Sequence, residues 1–144
     1  MQRITPWKSY QHVATETASP GQLVLMLYDG TLRFLEQARR GLQADDPSER
    51  NQAVNNNLLR AQAILGELNA SLDLKRGGEL AATLRRLYEY FEGRLMESNL
   101  NKEESGIREV IERMTTLREA WATMLRGYNV GQGAEETAAL CALG

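Results

Sequence analysis

Thr17-Ala18-Ser19-Pro20-Gly21-Gln22-Leu23-Val24-Leu25-Met26-Leu27-Tyr28-Asp29-Gly30 is the stretch on which the fold turns. Ser19 is a capping residue, Pro20 suits the first helical position, and Gln22 completes an S-x-x-Q capping box. A helix therefore begins at Ser19. An ordinary surface helix would next show a single apolar stripe. Here Leu23 to Tyr28 are apolar without a break, so the inner and outer faces of the first turns both need cover. Either more of the same chain supplies it or a partner does.

Outward from that start the pattern stays helical. Helix one is expected to run to about Ala44, where Asp45-Asp46-Pro47 breaks it. Asp46 caps helix two, with Pro47 first and Glu49 at the capping-box position. Val54, Leu58, Ala61, Leu65, Leu68 and Leu72 are spaced 4, 3, 4, 3, 4, which is a bundle seam. Lys75-Arg76-Gly77-Gly78 is expected to end that helix, since basic residues suit a C-terminus and glycine its left-handed cap. Helix three then carries Leu80, Leu84, Leu87, Phe91 and Leu95 on one stripe. Asn101 is expected to cap helix four, whose seam is Ile107, Val110, Met114, Leu117, Trp121, Met124 and Tyr128. No alternating run bounded by turn residues argues for a strand. The expectation is an all-α chain, an antiparallel four-helix bundle with a short N-terminal leader packing on it. Its parts are the leader at 1–18, the bundle at 19–128 and a flexible, frayed C-terminal tail at 129–144.

Composition narrows the function. The 144 residues carry a net charge of −2, with 25% charged and 42% apolar residues. This argues against nucleic acid, which needs a basic footprint. No apolar run approaches the length of a membrane span, so direct membrane insertion is not expected. The leader has no apolar signal-peptide core, and the lone Cys141 cannot form an internal disulfide. A cytosolic location follows.

Chemistry is sparse. His12 is the only histidine, so a di-iron bundle and a Cys/His zinc site are excluded. No P-loop is present, and Gly77-Gly78 reads as a helix stop. Glu103-Glu104 and Glu135-Glu136 read as solvated charge. No catalytic residue, metal site or cofactor is assigned. An enzyme whose site the sequence does not reveal stays as one rival class.

Two features point to binding instead. Opposite the seam of helix two, Leu59, Ala63, Gly66 and Ala70 form a second row spaced 4, 3, 4. Small residues there would let another backbone approach, and Gly66 costs about 1 kcal/mol relative to alanine in a helix. The row is either cheap surface or one wall of a groove for an amphipathic helix. In the leader, Ile4, Trp7, Tyr10 and Val13 recur every third residue. They are expected to form a fixed flap or a detachable lid over apolar surface around Leu25, Tyr28 and Leu32.

These residues resemble the flagellar export chaperone family FliS. The resemblance runs from about Tyr10 to Trp121. It rests on Tyr10, Thr17-Ala18-Ser19-Pro20, Leu23 and Met26-Leu27-Tyr28-Asp29-Gly30. It continues through Ala61, Ile64, Glu67-Leu68, Leu72-Asp73, Gly77-Gly78-Glu79-Leu80 and Leu87-Tyr88-Glu89-Tyr90. Arg94-Leu95, Asn99, Glu109-Val110 and Leu117-Arg118-Glu119-Ala120-Trp121 complete it. The chain departs from the family's pattern at Ser98, where alanine is common, and at Phe91, where methionine is. The resemblance implies a cytosolic helical bundle that holds the disordered C-terminal segment of flagellin in apolar grooves and prevents premature polymerisation. It further implies docking on the cytoplasmic domain of the membrane protein of the flagellar type III export gate. The family's leader, with the tyrosine matched by Tyr10, covers part of the site when flagellin is absent. The alternative is a structural bundle that self-associates as a weak homodimer without any flagellin client.

Overall fold

The computed structural model describes residues 19–129. Four helices follow one another: α1 (Pro20–Gly41), α2 (Pro47–Ala70), α3 (Leu74–Asn101) and α4 (Ser105–Asn129). Each packs on its sequence neighbours, and α4 returns to α1, so the helices form a closed ring. Short connections make neighbours antiparallel. The expected all-α four-helix bundle is what the chain forms. The leader at 1–18 and the tail from 130 lie outside the described residues.

The first two helix starts follow the local rules. Ser19 Oγ accepts from the Gln22 N–H while Gln22 Oε1 accepts from the Ser19 N–H, a reciprocal capping box. Asp46 accepts from the Glu49 N–H at 3.0 Å. Helix one ends earlier than expected, at Gly41, not Ala44. A Cβ at Gly41 would sit 2.9 Å from the Ala53 Cβ, so α1 and α2 approach closely there. Gln43 and Ala44 then donate to the carbonyls three residues back, a tightened turn.

Two boundaries need correction. Lys75-Arg76-Gly77-Gly78 does not close α2. That helix stops at Ala70, and Asp73 caps the next one by accepting from the Lys75 and Arg76 N–H groups. Gly78 supplies a break inside α3, at φ 52° and ψ −128°, a conformation that suits glycine. Nor does Asn101 cap α4. It ends α3, Lys102 turns left-handed at φ 51°, and α4 begins at Ser105.

The seams hold the core. Val54, Leu58, Ala61, Leu65 and Leu68 of α2 are buried, as are Ile107, Val110, Met114 and Trp121 of α4. Leu117 and Met124 pack against that core from its margin; the Tyr128 side chain lies outside the described residues. On α3 the stripe is Ala81, Leu84, Tyr88, Phe91 and Leu95, while Leu80 is exposed. Leu80 and Leu87 lie on the margin of that stripe, each one residue before a buried one, so Leu87 is only partly buried. The unbroken Leu23–Tyr28 run is covered chiefly by the bundle itself: Val24, Leu27 and Tyr28 are buried, and Leu23 and Leu25 pack on the core.

At the centre the Tyr28 and Tyr88 hydroxyls meet at 2.7 Å. Burial pushes both phenols above their ordinary range. The Trp121 ring stands edge-on to Tyr28, centroids 6.5 Å apart, and its Nε1 donates to the Gly21 carbonyl at 2.7 Å. Ser98, the departure from the family pattern, is buried where α3 meets α4 at Gly106, and its hydroxyl has no partner.

Tyr88→Phe strips the buried Tyr28 hydroxyl of its partner, which should cost about 1–3 kcal/mol, and Tyr28→Phe does the converse. The double Tyr28→Phe/Tyr88→Phe variant has no orphaned hydroxyl and should be at least as stable as either single one. Urea unfolding of the parent and the three variants reads this. Losses that simply add would show that the hydroxyls act independently.

Candidate functional site: the outer groove between α2 and α3

The outer edge of the α2–α3 seam is polar. Asn99 Nδ2 donates to Asn55 Oδ1 (2.9 Å), Gln62 Nε2 to the Glu92 carbonyl (3.4 Å) and Arg85 Nε to Asn69 Oδ1 (3.3 Å). Positions 55, 62 and 69 rise by sevens as 99, 92 and 85 fall by sevens. This ladder sets the register of the two antiparallel helices. It places Leu59 level with Met96, Ala63 level with Glu92, and Gly66 level with Glu89.

Outside the ladder the walls are apolar or bare. Leu59 is 53% exposed, Met96 57% and Leu100 79%. Ala63 and Ala70 are exposed and Gly66 half-buried. A Cβ at Gly66 would meet only Glu92 Oε1, at 3.7 Å, and one at Gly93 would meet nothing within 4 Å. The bundle therefore needs neither glycine for its own packing, although each costs about 1 kcal/mol in a helix. Partial burial, then the charge of Glu89, pushes the Glu92 carboxyl above its ordinary range.

The row expected on helix two is thus brought together on the outer face. Met96, Leu100 and Gly93 were not anticipated from sequence, although with Glu89 they repeat at 4, 3, 4 on α3. The second group of expected contact residues lies elsewhere. Leu25 and Leu32 are half-buried on α1, and Asp29 between them pairs with Arg118 of α4 at 2.6 Å. That flank therefore faces α4. Tyr28 is corrected: its side chain is core, 2% exposed, and offers no surface to a partner. Ile4, Trp7 and Tyr10 lie outside the described residues.

Chain comparison adds the decisive observation. The family model described as flagellar protein FliS matches residues 3–127. The chain belongs to the FliS family. It is 37% identical over 116 residues to the flagellar secretion chaperone FliS of Bacillus subtilis, covering 81% of this chain and 83% of the relative. It is 34% identical over 125 residues to the flagellar secretion chaperone FliSB of Pseudomonas aeruginosa, with 84% and 96% covered. With the FliS of Salmonella typhimurium it shares 36% over 118 residues, with 79% and 85% covered. A flagellar export chaperone role follows from that membership.

A concavity at the start of α4, about 410 Å³, is charged instead, lined by Glu104, Ser105, Arg108, Glu109 and Glu112. Its charges are engaged: Glu104 holds Arg108, and Glu109 accepts from Tyr90, Arg94 and Arg113. Those donors, Arg94 foremost, hold the Glu109 carboxyl at about 2. Among the described residues no His/Cys/Asp/Glu group is arranged to hold a metal.

A depressed folded pKa stabilises the fold above the ordinary carboxylate range, and the effect is lost as pH falls through it. Glu109→Gln should therefore lower the urea midpoint at pH 7, and the gap should close between about pH 4.5 and pH 2. A gap independent of pH would assign the loss to packing. Ala63→Glu and Gly66→Leu both place their side chains outside the core, so each should change stability by less than about 1 kcal/mol. Unfolding of either variant would mean the row is core.

Proposed function

We propose that this protein is a flagellin-specific export chaperone that takes the disordered C-terminal segment of flagellin as an amphipathic helix in the α2–α3 groove. The observation that carries the reading is the exposed wall of Leu59, Met96 and Leu100 beside two glycines that the bundle does not itself require. A disordered client loses about 2–5 kcal/mol in ordering, and burial of a long apolar row offsets that. Occupation of the segment keeps it from premature polymerisation. The loaded chaperone then hands its client to the cytoplasmic domain of the export-gate membrane protein. The sequence carries no P-loop, so release comes by competition or handover rather than by hydrolysis. No described helix is long and apolar enough to cross a membrane, in keeping with work in the cytosol.

The leader completes the proposal. Ile4, Trp7 and Tyr10 serve as a lid over the α1 flank around Leu25 and Leu32. Removing it exposes apolar surface, so a chain starting near Ala18 binds more hydrophobic dye than the full chain.

Co-purification with flagellin carrying or lacking its C-terminal segment tests the reading. The full flagellin should be retained and the truncated one lost. Leu59→Asp and Met96→Asp should each weaken capture by about tenfold or more, since a charge would be buried against apolar surface. Retention of the truncated flagellin, or unchanged capture by both variants, would overturn the proposed groove. Concentration-dependent dimers that fail to capture flagellin would favour the self-associating bundle.

A further inference from the structure

The α3–α4 seam is clamped at one end only. Among the described residues, every side-chain hydrogen bond across it ends on Glu109, from Tyr90 and Arg94 at 2.8 Å each. Away from that clamp, toward the start of α3, the seam opens into a groove of about 240 Å³ lined by Leu87, Phe91, Arg113, Thr116 and Leu117. Leu80, two turns before Leu87, is 47% exposed, and Met124 is half-buried further along α4. The apolar floor thus runs from the groove toward Asn129, where α4 ends.

We propose that residues 134–143 of the same chain occupy this groove, reversing after Asn129 and running back antiparallel to α4. Three observations support that occupant. First, the reach is right: as a helix these residues make a rod of about 15 Å, matching the roughly 16 Å of α4 between Met124 and Arg113. Gly131 and Gly133 precede them and permit a tight reversal. Second, Ala138-Ala139-Leu140-Cys141-Ala142-Leu143 is an uninterrupted apolar run with no use in water. Third, charge matches at the turn. Lys75, Arg76 and Arg126, at the end of the bundle where the reversal falls, have no acidic partner among the described residues. The segment brings Glu135 and Glu136 to that end. The groove lies on the opposite flank of α3 from the α2–α3 groove, so its occupation leaves the client site open.

Cys141 is the only cysteine, which makes a clean test possible on the full chain without client. A disulfide needs Cα atoms within about 7 Å. Thr116→Cys places a thiol on the exposed rim of the groove, and Ala63→Cys places one on the exposed row of α2. Under mild oxidation of dilute protein, Thr116→Cys should close an intramolecular disulfide at least about tenfold faster than Ala63→Cys. Adding Leu140→Asp and Leu143→Asp should slow the Thr116→Cys closure to the control rate. Equal rates at the two positions would overturn the proposal, as would closure insensitive to the aspartates. Disulfide-linked dimers as the main product would give the groove to a second copy and likewise overturn it.

Discussion

The hydroxyl contact between Tyr28 and Tyr88 is the constraint on which the bundle depends. It joins α1 to α3 through the centre, although these two helices do not otherwise pack as neighbours. A buried hydroxyl without a partner is costly, so each tyrosine satisfies the other only in one rotation of its helix. Trp121 adds α4 to the same knot, edge-on to Tyr28 and hydrogen-bonded to the Gly21 carbonyl. With the rotations of three helices set from the inside, the outward faces are no longer free to choose. The face of α3 that carries Gly93, Met96 and Leu100 must look outward because Tyr88, Phe91 and Leu95 look inward.

Three of the four seams are closed by different chemistry, and the difference bears on function. Between α1 and α2, Gly41 allows near contact of the backbones, and Arg33 and Arg60 both lie near the Phe34 ring. Between α2 and α3, the outer contacts are part-buried polar rungs, each worth only about 0.5–1.5 kcal/mol. A groove floored by such rungs and walled by exposed leucine and methionine suits a helix laid along it. The α3–α4 seam gathers its polar contacts on Glu109 and leaves its other half apolar. Under the proposed function, surface whose burial is weakly opposed and easily reversed suits a segment that is taken up and later handed on.

Membership of the FliS family and the exposed α2–α3 row are independent observations. The first comes from matched residues along most of the chain. The second comes from side chains that the bundle leaves uncovered. The first leads to a flagellar export chaperone; the second marks the surface on which the proposed client lies.

The sequence by itself determined the helices, two of their starts and most of the core. Ser19, Asp46 and the seam spacings act locally, through caps and through the 3.6-residue period, so they are legible without a fold. The outward row of α2 was legible for the same reason, being the complement of a regular seam. Other features were decided only by tertiary structure. Lys75 to Gly78 suits a helix end as well as a helix start, and the choice fell to Asp73, which caps forward once α2 has stopped at Ala70. Tyr28 read as surface because it closes an unbroken apolar run from Leu23, yet its hydroxyl found a partner sixty residues away. Met96 and Leu100 became a wall only when the α2–α3 ladder brought Leu59 to their level. Pairings between helices depend on rotation and register, which no local spacing encodes; they follow from burying the most apolar surface while leaving few polar groups unpaired.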